Sequence, residues 1–184
     1  MRVITGSARG VRLLTVPGTD VVRPTSEKIK EALFSSIQFD IEGRRILDLF
    51  AGSGQLGIEA LSRGAKNATF VDSSDVSINV IKQNLKNTRL EDNARVIKGD
   101  FITFCSRCSD KFDIAFLDPP YNAGYLEKAL NGVIPLLSDY GKIFCEHPIE
   151  INLPETINDF HVCKNYRYGK IAVTVYKKDD TADE

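Results

Sequence analysis

The chain has 184 residues, of which 42% are hydrophobic and 27% are charged, and its formal net charge is −1. This composition is typical of one globular domain, and no apolar run approaches the roughly 20 residues that a membrane-spanning helix needs. The first residues also lack the apolar segment of a secretory signal, so we expect a cytoplasmic protein.

The four cysteines are too few and too scattered for a disulfide framework. Cys105 and Cys108 have the spacing of half a zinc site. A second pair of that spacing, which would complete about four ligands, is missing from the sequence. We therefore expect no metal site.

Positive charge is concentrated at the start of the chain. Residues 1–30 contain six basic and two acidic residues, a balance of +4 that leaves −5 for the remainder. The pattern predicts a short hairpin over 1–16, a turn over 17–20 and a helix over 27–39, with Thr25 or Ser26 as its N-cap. We interpret 1–40 as an appended extension that meets a polyanionic partner, with a plain solvated surface as the alternative.

Strands and helices alternate from residue 45 onward. Strands are predicted at 45–50, 68–71, 95–98, 113–117 and 141–145, and helices at 55–63, 75–88, 101–105 and 125–137. Strands that are apolar throughout indicate a doubly wound, mostly parallel sheet, which defines a Rossmann-like domain over 41–178. Segments 161–166 and 171–176 predict an antiparallel hairpin at one edge, and the acidic residues 179–184 predict a disordered tail.

A glycine-rich turn, Asp48-Leu49-Phe50-Ala51-Gly52-Ser53-Gly54, joins the first strand to the first helix. Gly52 and Gly54 can adopt positive φ and let a ligand approach the backbone, towards which the next helix points free N–H groups. With Gly57 the turn reads as the G-x-G-x-x-G of dinucleotide-binding proteins, but Asp48 would repel a pyrophosphate and suits a cationic nucleoside. Asp48, Phe50, Gly52 and Gly54 are therefore candidate cofactor-binding residues.

Acidic residues also follow the second and third strands. Asp72, eighteen positions after Gly54, is predicted with Ser73 to bind ribose hydroxyls, and a helix N-cap is the alternative. Asp100 is predicted to accept a hydrogen bond from the adenine amino group, with Phe101 packed on the base. An N-cap is an equally good interpretation of Asp100, and the two roles are compatible.

The sequence Asp118-Pro119-Pro120-Tyr121 follows the fourth strand. With the glycine turn upstream, it resembles the amino-group methyltransferases that use S-adenosylmethionine, a nucleoside with a sulfonium and an ammonium group. We expect Asp118 and the Pro119 carbonyl to accept the two N–H groups of an amine and to aim its lone pair at the methyl carbon. Pro120 would stiffen the loop and Tyr121 would stack on the target base, while Asp118 would also border the cofactor.

Nearly the whole chain resembles the bacterial small-subunit (16S) ribosomal RNA guanine-N2 methyltransferases, the RsmD group. The resemblance rests on Arg2-Val3-Ile4-Thr5-Gly6, Arg23-Pro24-Thr25-Ser26-Glu27-Lys28, Glu31-Ala32-Leu33-Phe34, the glycine turn, Asp118-Pro119-Pro120-Tyr121 and Tyr168-Gly169.

This resemblance implies a class I methyltransferase sheet of seven strands with the last one antiparallel, preceded by a hairpin-plus-helix extension. It also implies methyl transfer from S-adenosylmethionine to one guanine of small-subunit ribosomal RNA, within an assembling subunit, and we expect a monomer. Residues that would hold the RNA beside the crevice are Arg9, Arg12, Arg23, Thr25 and Lys28.

Three alternatives remain open from the sequence. An adenine-N6 DNA methyltransferase would use the same amine chemistry, although only the extension of about forty residues is available for target recognition. A nicotinamide oxidoreductase would use the literal G-x-G-x-x-G. A non-catalytic RNA-binding assembly factor would keep the pocket without using it.

Overall fold

The computed structural model describes residues 1–18, 24–119 and 124–178, and the side chains of 24–26 are not described. The helices are α1 (Pro24–Ser36), α2 (Gln55–Ser62), α3 (Asp75–Thr88), α4 (Phe101–Arg107) and α5 (Tyr125–Val133). The strands are β1 (Arg45–Leu49), β2 (Asn67–Asp72), β3 (Ala94–Lys98), β4 (Phe112–Leu117), β5 (Leu137–Pro148), β6 (Thr156–Ile157), β7 (Phe160–Tyr168) and β8 (Ile171–Lys178).

The described strands form one sheet in the order β3-β2-β1-β4-β5-β8-β7-β6. Strands β1 to β5 are parallel, and β8 is antiparallel to both β5 and β7. The predicted mostly parallel sheet with an antiparallel last strand is confirmed. The predicted count of seven strands is wrong, because the two-residue strand β6 pairs with β7 and adds an eighth.

The register places the carboxyl ends of β1 and β4 side by side. Leu49 of β1 pairs with Leu117 of β4 and also with Val71 of β2. The glycine turn after β1 and Asp118 after β4 therefore lie at the same end of the sheet, as the sequence predicted.

Helices cover both faces of the sheet because neighbouring residues of a strand point to opposite faces. Ile46 and Phe116 lie in a core with residues of α1, α2 and α3, and we call this the arm face. Leu47 and Ala115 lie in a second core with residues of α4 and α5. On the arm face, the Phe116 ring is 5.6 Å from that of Phe34 in α1 and 5.8 Å from that of Phe144 in β5.

The predicted N-terminal hairpin is confirmed in a short form. We call residues 1–18 the N-terminal arm; its strands meet in one antiparallel bridge, between Arg2 and Arg12. The Val3 N–H donates to the Val11 carbonyl at 3.0 Å beside that bridge. The helix that follows begins three residues earlier than predicted, at Pro24, and ends at Ser36.

Two further elements differ from the prediction by three residues or more at an end. Strand β5 runs from Leu137 to Pro148, far beyond the predicted 141–145, because its antiparallel neighbour β8 supplies partners as far as Pro148. Helix α5 ends at Val133, and a 3₁₀ turn that contains Pro135 follows it, since proline cannot donate the next helical hydrogen bond. The predicted acidic tail lies outside the described residues.

Among the helices described for residues 24–36, 55–107 and 125–136, none is long and apolar enough to cross a membrane.

Candidate active site

The turn between β1 and α2 has the strained backbone that a close ligand approach requires. Gly52 has φ 56° and Gly54, which precedes the first residue of α2, has φ 76°. Phe50 also has a positive φ, 69°, although it carries a bulky side chain. Such a conformation costs on the order of 1–3 kcal/mol and is typical of functional loops.

Two carboxylates hold this turn in place. Asp72, at the end of β2, accepts hydrogen bonds from the Gly52 N–H at 2.8 Å and from the Ser74 N–H at 2.9 Å. Asp48, in β1, accepts one from the Gly57 N–H at 2.9 Å. Asp72 is not the N-cap of α3, because Ser74 has that position and its hydroxyl accepts from Ser77. The ribose contact predicted for Asp72 and Ser73 stays a prediction, and Ser73 is exposed.

The third glycine of the G-x-G-x-x-G, Gly57 in α2, is required by packing. A Cβ placed on Gly57 would lie 2.3 Å from Cε1 of Phe70 in β2, far inside van der Waals contact. Helix α2 can therefore lie close against the sheet only with glycine at this position. This close approach fixes the direction of the first turn of α2, whose free N–H groups face the carboxyl end of the sheet.

Three aromatic rings line the other side of this end of the sheet. The ring of Phe50 is 5.0 Å from that of Phe101, which is in turn 5.7 Å from Tyr125 at the start of α5. Phe101 is buried, whereas Tyr125 is exposed. The three rings thus form a continuous row of aromatic contacts at this end of the sheet.

Asp100 is the N-cap of α4, and its carboxylate accepts a hydrogen bond from the Thr103 N–H at 2.9 Å. Hydrogen bonds from Thr103 hold the pKa of this exposed carboxyl below its usual value. One of the two compatible interpretations of Asp100 is therefore confirmed, and the adenine contact stays a prediction.

Asp118 lies in a group of acids that the sequence revealed only in part. Burial, followed by the charges of Glu146 and Asp48, raises its pKa well above the usual value. The pKa of Asp48 rises to about 7, mainly because the side chain is buried. Sequence reasoning missed Glu146, yet this acid directly follows the apolar run predicted as the fifth strand, which is the same signal that identified Asp118.

These acids fit a cationic cofactor. Negative charges that raise one another's pKa are stabilised when a positive group is placed beside them. In addition, Oε1 of Gln55, the first residue of α2, is buried and has no hydrogen-bond partner among the described residues. A bound donor such as an ammonium group would satisfy it. Gln55 was also missed, and no pattern in the sequence distinguishes it.

The N-terminal arm is fastened to α2 through Glu59, a fully buried residue. Its carboxylate accepts the N–H groups of Ile4 at 2.8 Å and Thr5 at 3.0 Å, and it bonds Arg63 Nε at 2.8 Å. Lys30 Nζ lies 3.6 Å from the same carboxylate and donates to a main-chain carbonyl of the arm at 2.7 Å. Burial lowers the pKa of Lys30, and the charge of Glu59 opposes that effect.

Two further polar residues hold the arm. Ser62 of α2 accepts the Ala8 N–H at 3.0 Å and donates to the Thr5 carbonyl at 2.6 Å. Asn84 of α3 is fully buried and contacts both the arm and the carbonyl of Ser53 in the glycine turn. The arm is thus attached to α2, which follows the glycine turn, and to α3, which follows β2.

Among the residues predicted to contact RNA, Arg9, Arg12 and Lys28 are exposed. The side chain of Thr25 and the whole of Arg23 lie outside the described part of the chain. So do Pro120 and Tyr121, while Pro119 is buried directly after Asp118. Lys30, which contributes to the positive balance of residues 1–30, is buried against Glu59 and therefore does not face a partner.

The four cysteines form no disulfide bond. All four are free thiols, and burial raises the pKa of Cys105 to about 11 and also raises that of Cys108.

A cavity of about 320 Å³ at the opposite end of the sheet is lined by Asp40, Tyr140 and Lys142 among others, and it includes no predicted site residue.

Comparison with known proteins identifies relatives along nearly the whole chain. The family described as Conserved hypothetical protein 95 matches residues 1–177. YlbH of Bacillus subtilis strain 168, provisionally named an rRNA methyltransferase, is 41% identical over 97% of this chain and 99% of its own. Ribosomal RNA small subunit methyltransferase D of Escherichia coli K12 is 33% identical over 97% of this chain and 90% of its own.

A solved structure supports the same relationship. YhhF from Escherichia coli, provisionally described as a methyltransferase, superposes with a TM-score of 0.85 at 32% identity and covers 97% of this chain and 98% of its own. Fold and sequence thus agree along almost the whole length. The chain belongs to the Conserved hypothetical protein 95 family, the family of YlbH and the small-subunit rRNA methyltransferase D.

Proposed function

We propose that this chain transfers a methyl group from S-adenosylmethionine to the exocyclic N2 amine of one guanine in small-subunit ribosomal RNA. The observation that carries the proposal is the adjacency of the glycine turn and Asp118 at the carboxyl ends of the paired strands β1 and β4. Ligands of open parallel sheets bind at this end. The sheet order, with β8 antiparallel beside β5, fits the class I methyltransferase type.

S-adenosylmethionine supplies a methyl group activated by attachment to a positively charged sulfur. The protein's part is to bind and orient. Asp72 keeps the Gly52 backbone fixed, Gln55 offers a buried acceptor, and Phe50 and Phe101 offer an apolar wall to the adenine. Asp48 and Asp118 place negative charge where the cationic part of the donor would lie.

Asp118 also acts on the acceptor. Its carboxylate and the Pro119 carbonyl accept the two N–H groups of the amine, which directs the nitrogen lone pair at the methyl carbon. To accept, Asp118 must be ionised, and its raised pKa opposes this in the free protein. A positive group bound beside it restores the ionised form, so cofactor binding prepares the residue for the amine.

The RNA side of the proposal rests on the exposed Arg9, Arg12 and Lys28. A guanine in folded RNA must turn out of its stack to reach Asp118, and basic side chains of the extension can hold the neighbouring phosphates. The named E. coli relative acts on small-subunit rRNA, which favours this substrate over DNA. We further propose that the protein acts as a monomer and that its substrate is a partly assembled small subunit.

The test is to incubate the protein with labelled S-adenosylmethionine and small subunits from a strain that lacks the gene, and then to map the labelled nucleotide. We expect one N2-methylguanine in the small-subunit RNA. Loss of N6-methyladenine from the DNA of that strain, with its N2-methylguanine intact, would instead identify the adenine DNA methyltransferase.

A further inference from the structure

We propose that Glu146 accepts a hydrogen bond from the N1–H group of the target guanine and thereby selects guanine among the bases that carry an exocyclic amine. This inference rests on the proposed function. It assigns a specificity role to a residue that the Asp118-Pro119 arrangement does not include.

The proposal answers a question that the amine chemistry leaves open. Two acceptors at Asp118 and Pro119 can receive the amino group of guanine, adenine or cytosine. The ring nitrogen next to that amine distinguishes the bases, since it carries a hydrogen in guanine and a lone pair in adenine and cytosine. A third acceptor, placed beside Asp118 and facing that ring nitrogen, would therefore distinguish guanine from the other two bases.

The register of the sheet places such an acceptor there. Leu117, the last residue of β4, pairs with Cys145 of the parallel strand β5, so Asp118, directly after β4, is next to the position of Glu146 in β5. Adjacent strands lie about 4.8 Å apart, so side chains from neighbouring positions of the two strands can reach adjacent donors on one base edge.

Both acids lie on the same face of the sheet. One residue pair earlier, Leu117 and Cys145 belong to the core of the opposite face, while Phe116 and Phe144 pack together on the arm face at 5.8 Å. Strand alternation then directs Asp118 and Glu146 to the arm face. The proximity of the two acids agrees with this, since the charge of Glu146 contributes to raising the pKa of Asp118.

The position of Glu146 inside the sheet fixes its backbone, as recognition of a base requires. It lies inside β5, which continues to Pro148, and it pairs with Val173 of β8 on the side away from Asp118. Its side chain is half-buried. A carboxylate can accept about four hydrogen bonds, so it can keep a protein partner and still accept from a base.

The same contact would assist the reaction. A carboxylate that accepts the N1–H increases electron density on the conjugated N2. The N2 lone pair forms the new bond to the methyl carbon, the electron pair of the broken carbon–sulfur bond stays on sulfur, and one N2 proton leaves to Asp118 or water. Glu146 itself exchanges no proton in this scheme.

The experiment replaces the target guanine by 2-aminopurine, which keeps the amine but carries a lone pair at N1. Reconstituted subunits with either base at the mapped position are methylated by the wild type, by Glu146→Gln and by Glu146→Ala. We expect the wild type to favour guanine by on the order of 100-fold, because a hydrogen bond to a charged group is lost with 2-aminopurine. Glu146→Gln should reduce this ratio about tenfold or more, since an amide can donate to N1.

Glu150→Gln is the matched control, because Glu150 is an exposed glutamate shortly after the end of β5, and it should leave the ratio unchanged. Binding of S-adenosylhomocysteine and thermal unfolding are measured for every variant. An equal loss of rate on both bases, or a loss of S-adenosylhomocysteine binding in Glu146→Gln, would overturn this inference alone. A wild type that methylates no guanine would refute the proposed function and this inference with it.

Discussion

The side chain of Asn84 pairs with both main-chain polar groups of Leu14. The Leu14 N–H donates to Asn84 Oδ1 at 2.7 Å, and Asn84 Nδ2 donates to the Leu14 carbonyl at 3.0 Å. The same Nδ2 donates to the Ser53 carbonyl at 2.9 Å. One buried amide therefore joins the N-terminal arm to the glycine turn.

Asn84→Ala should weaken binding of both RNA and S-adenosylhomocysteine, each by about tenfold, because both segments lose a fixed partner. Ser62→Ala is the matched variant, since Ser62 bonds the arm but not the glycine turn. It should weaken RNA binding only. Calorimetry with S-adenosylhomocysteine and a binding titration with RNA check this, and equal S-adenosylhomocysteine affinity in the two variants would contradict it.

Gly57→Ala should destabilise the protein by about 1–3 kcal/mol, because the new methyl group overlaps the Phe70 ring. Phe70→Leu removes the ring carbon nearest to that methyl group. In the double variant the second substitution should recover part of the loss, which a double-mutant cycle of denaturation free energies measures. Strict additivity of the two effects would show that the contact does not exist.

Asp48→Asn should make the protein more stable above neutral pH. The pKa of Asp48 is raised to about 7, because burial favours the protonated form, so the contribution of Asp48 to wild-type stability falls as pH rises from about 4 through 7. The advantage of the variant should be small near pH 4 and should reach at most about 4 kcal/mol above pH 7. Urea denaturation of both proteins at pH 5 and pH 8 tests this. A wild type that is more stable than Asp48→Asn at pH 8 would contradict it.

Arg12→Ala should lower the salt dependence of RNA binding by about one unit of slope, as expected for a lost phosphate contact. Lys30→Met should leave that slope unchanged, because Lys30 is buried against Glu59, although the protein should melt at a lower temperature. A similar change of slope in both variants would argue against this division of roles.

Asp118→Ala should reduce kcat by on the order of 10²–10³-fold and largely keep RNA affinity, since we propose that the residue acts on the amine during transfer. Asp139→Ala serves as control because Asp139 is almost fully exposed at the other end of the sheet. Single-turnover methylation with a parallel binding assay separates the two effects. Unimpaired methylation by Asp118→Ala would show that Asp118 does not act in the transfer.

Local signals in the sequence were enough for much of the fold. The predicted bounds of α3, 75–88, are those observed, because its cap, Ser74, and its periodicity are both local. The carboxyl end of β1 and the start of α2 were also found, since an apolar run stops at glycines. Strand β6 has two residues and forms only because β7 lies beside it, so no local pattern could indicate it.

The attachment of the arm could not be predicted for a physical reason. Glu59 bonds main-chain N–H groups 55 and 54 residues away, and Asn84 bonds Leu14 across 70 residues. Main-chain groups are the same at every position and leave no trace in the sequence. The charge balance of residues 1–30 overstated the positive surface of the extension for a related reason. Lys30 is buried beside Glu59, so this cation is not at the surface.

The contact between Glu59 and the backbone of Ile4 and Thr5 has an evolutionary consequence. Since the contact uses peptide N–H groups, residues 4 and 5 can drift in side-chain identity, proline excepted, without breaking it. Removing one residue there would shift every later amide out of place and leave the acid without donors. Lineages of this protein should therefore tolerate replacement in this segment but keep its length.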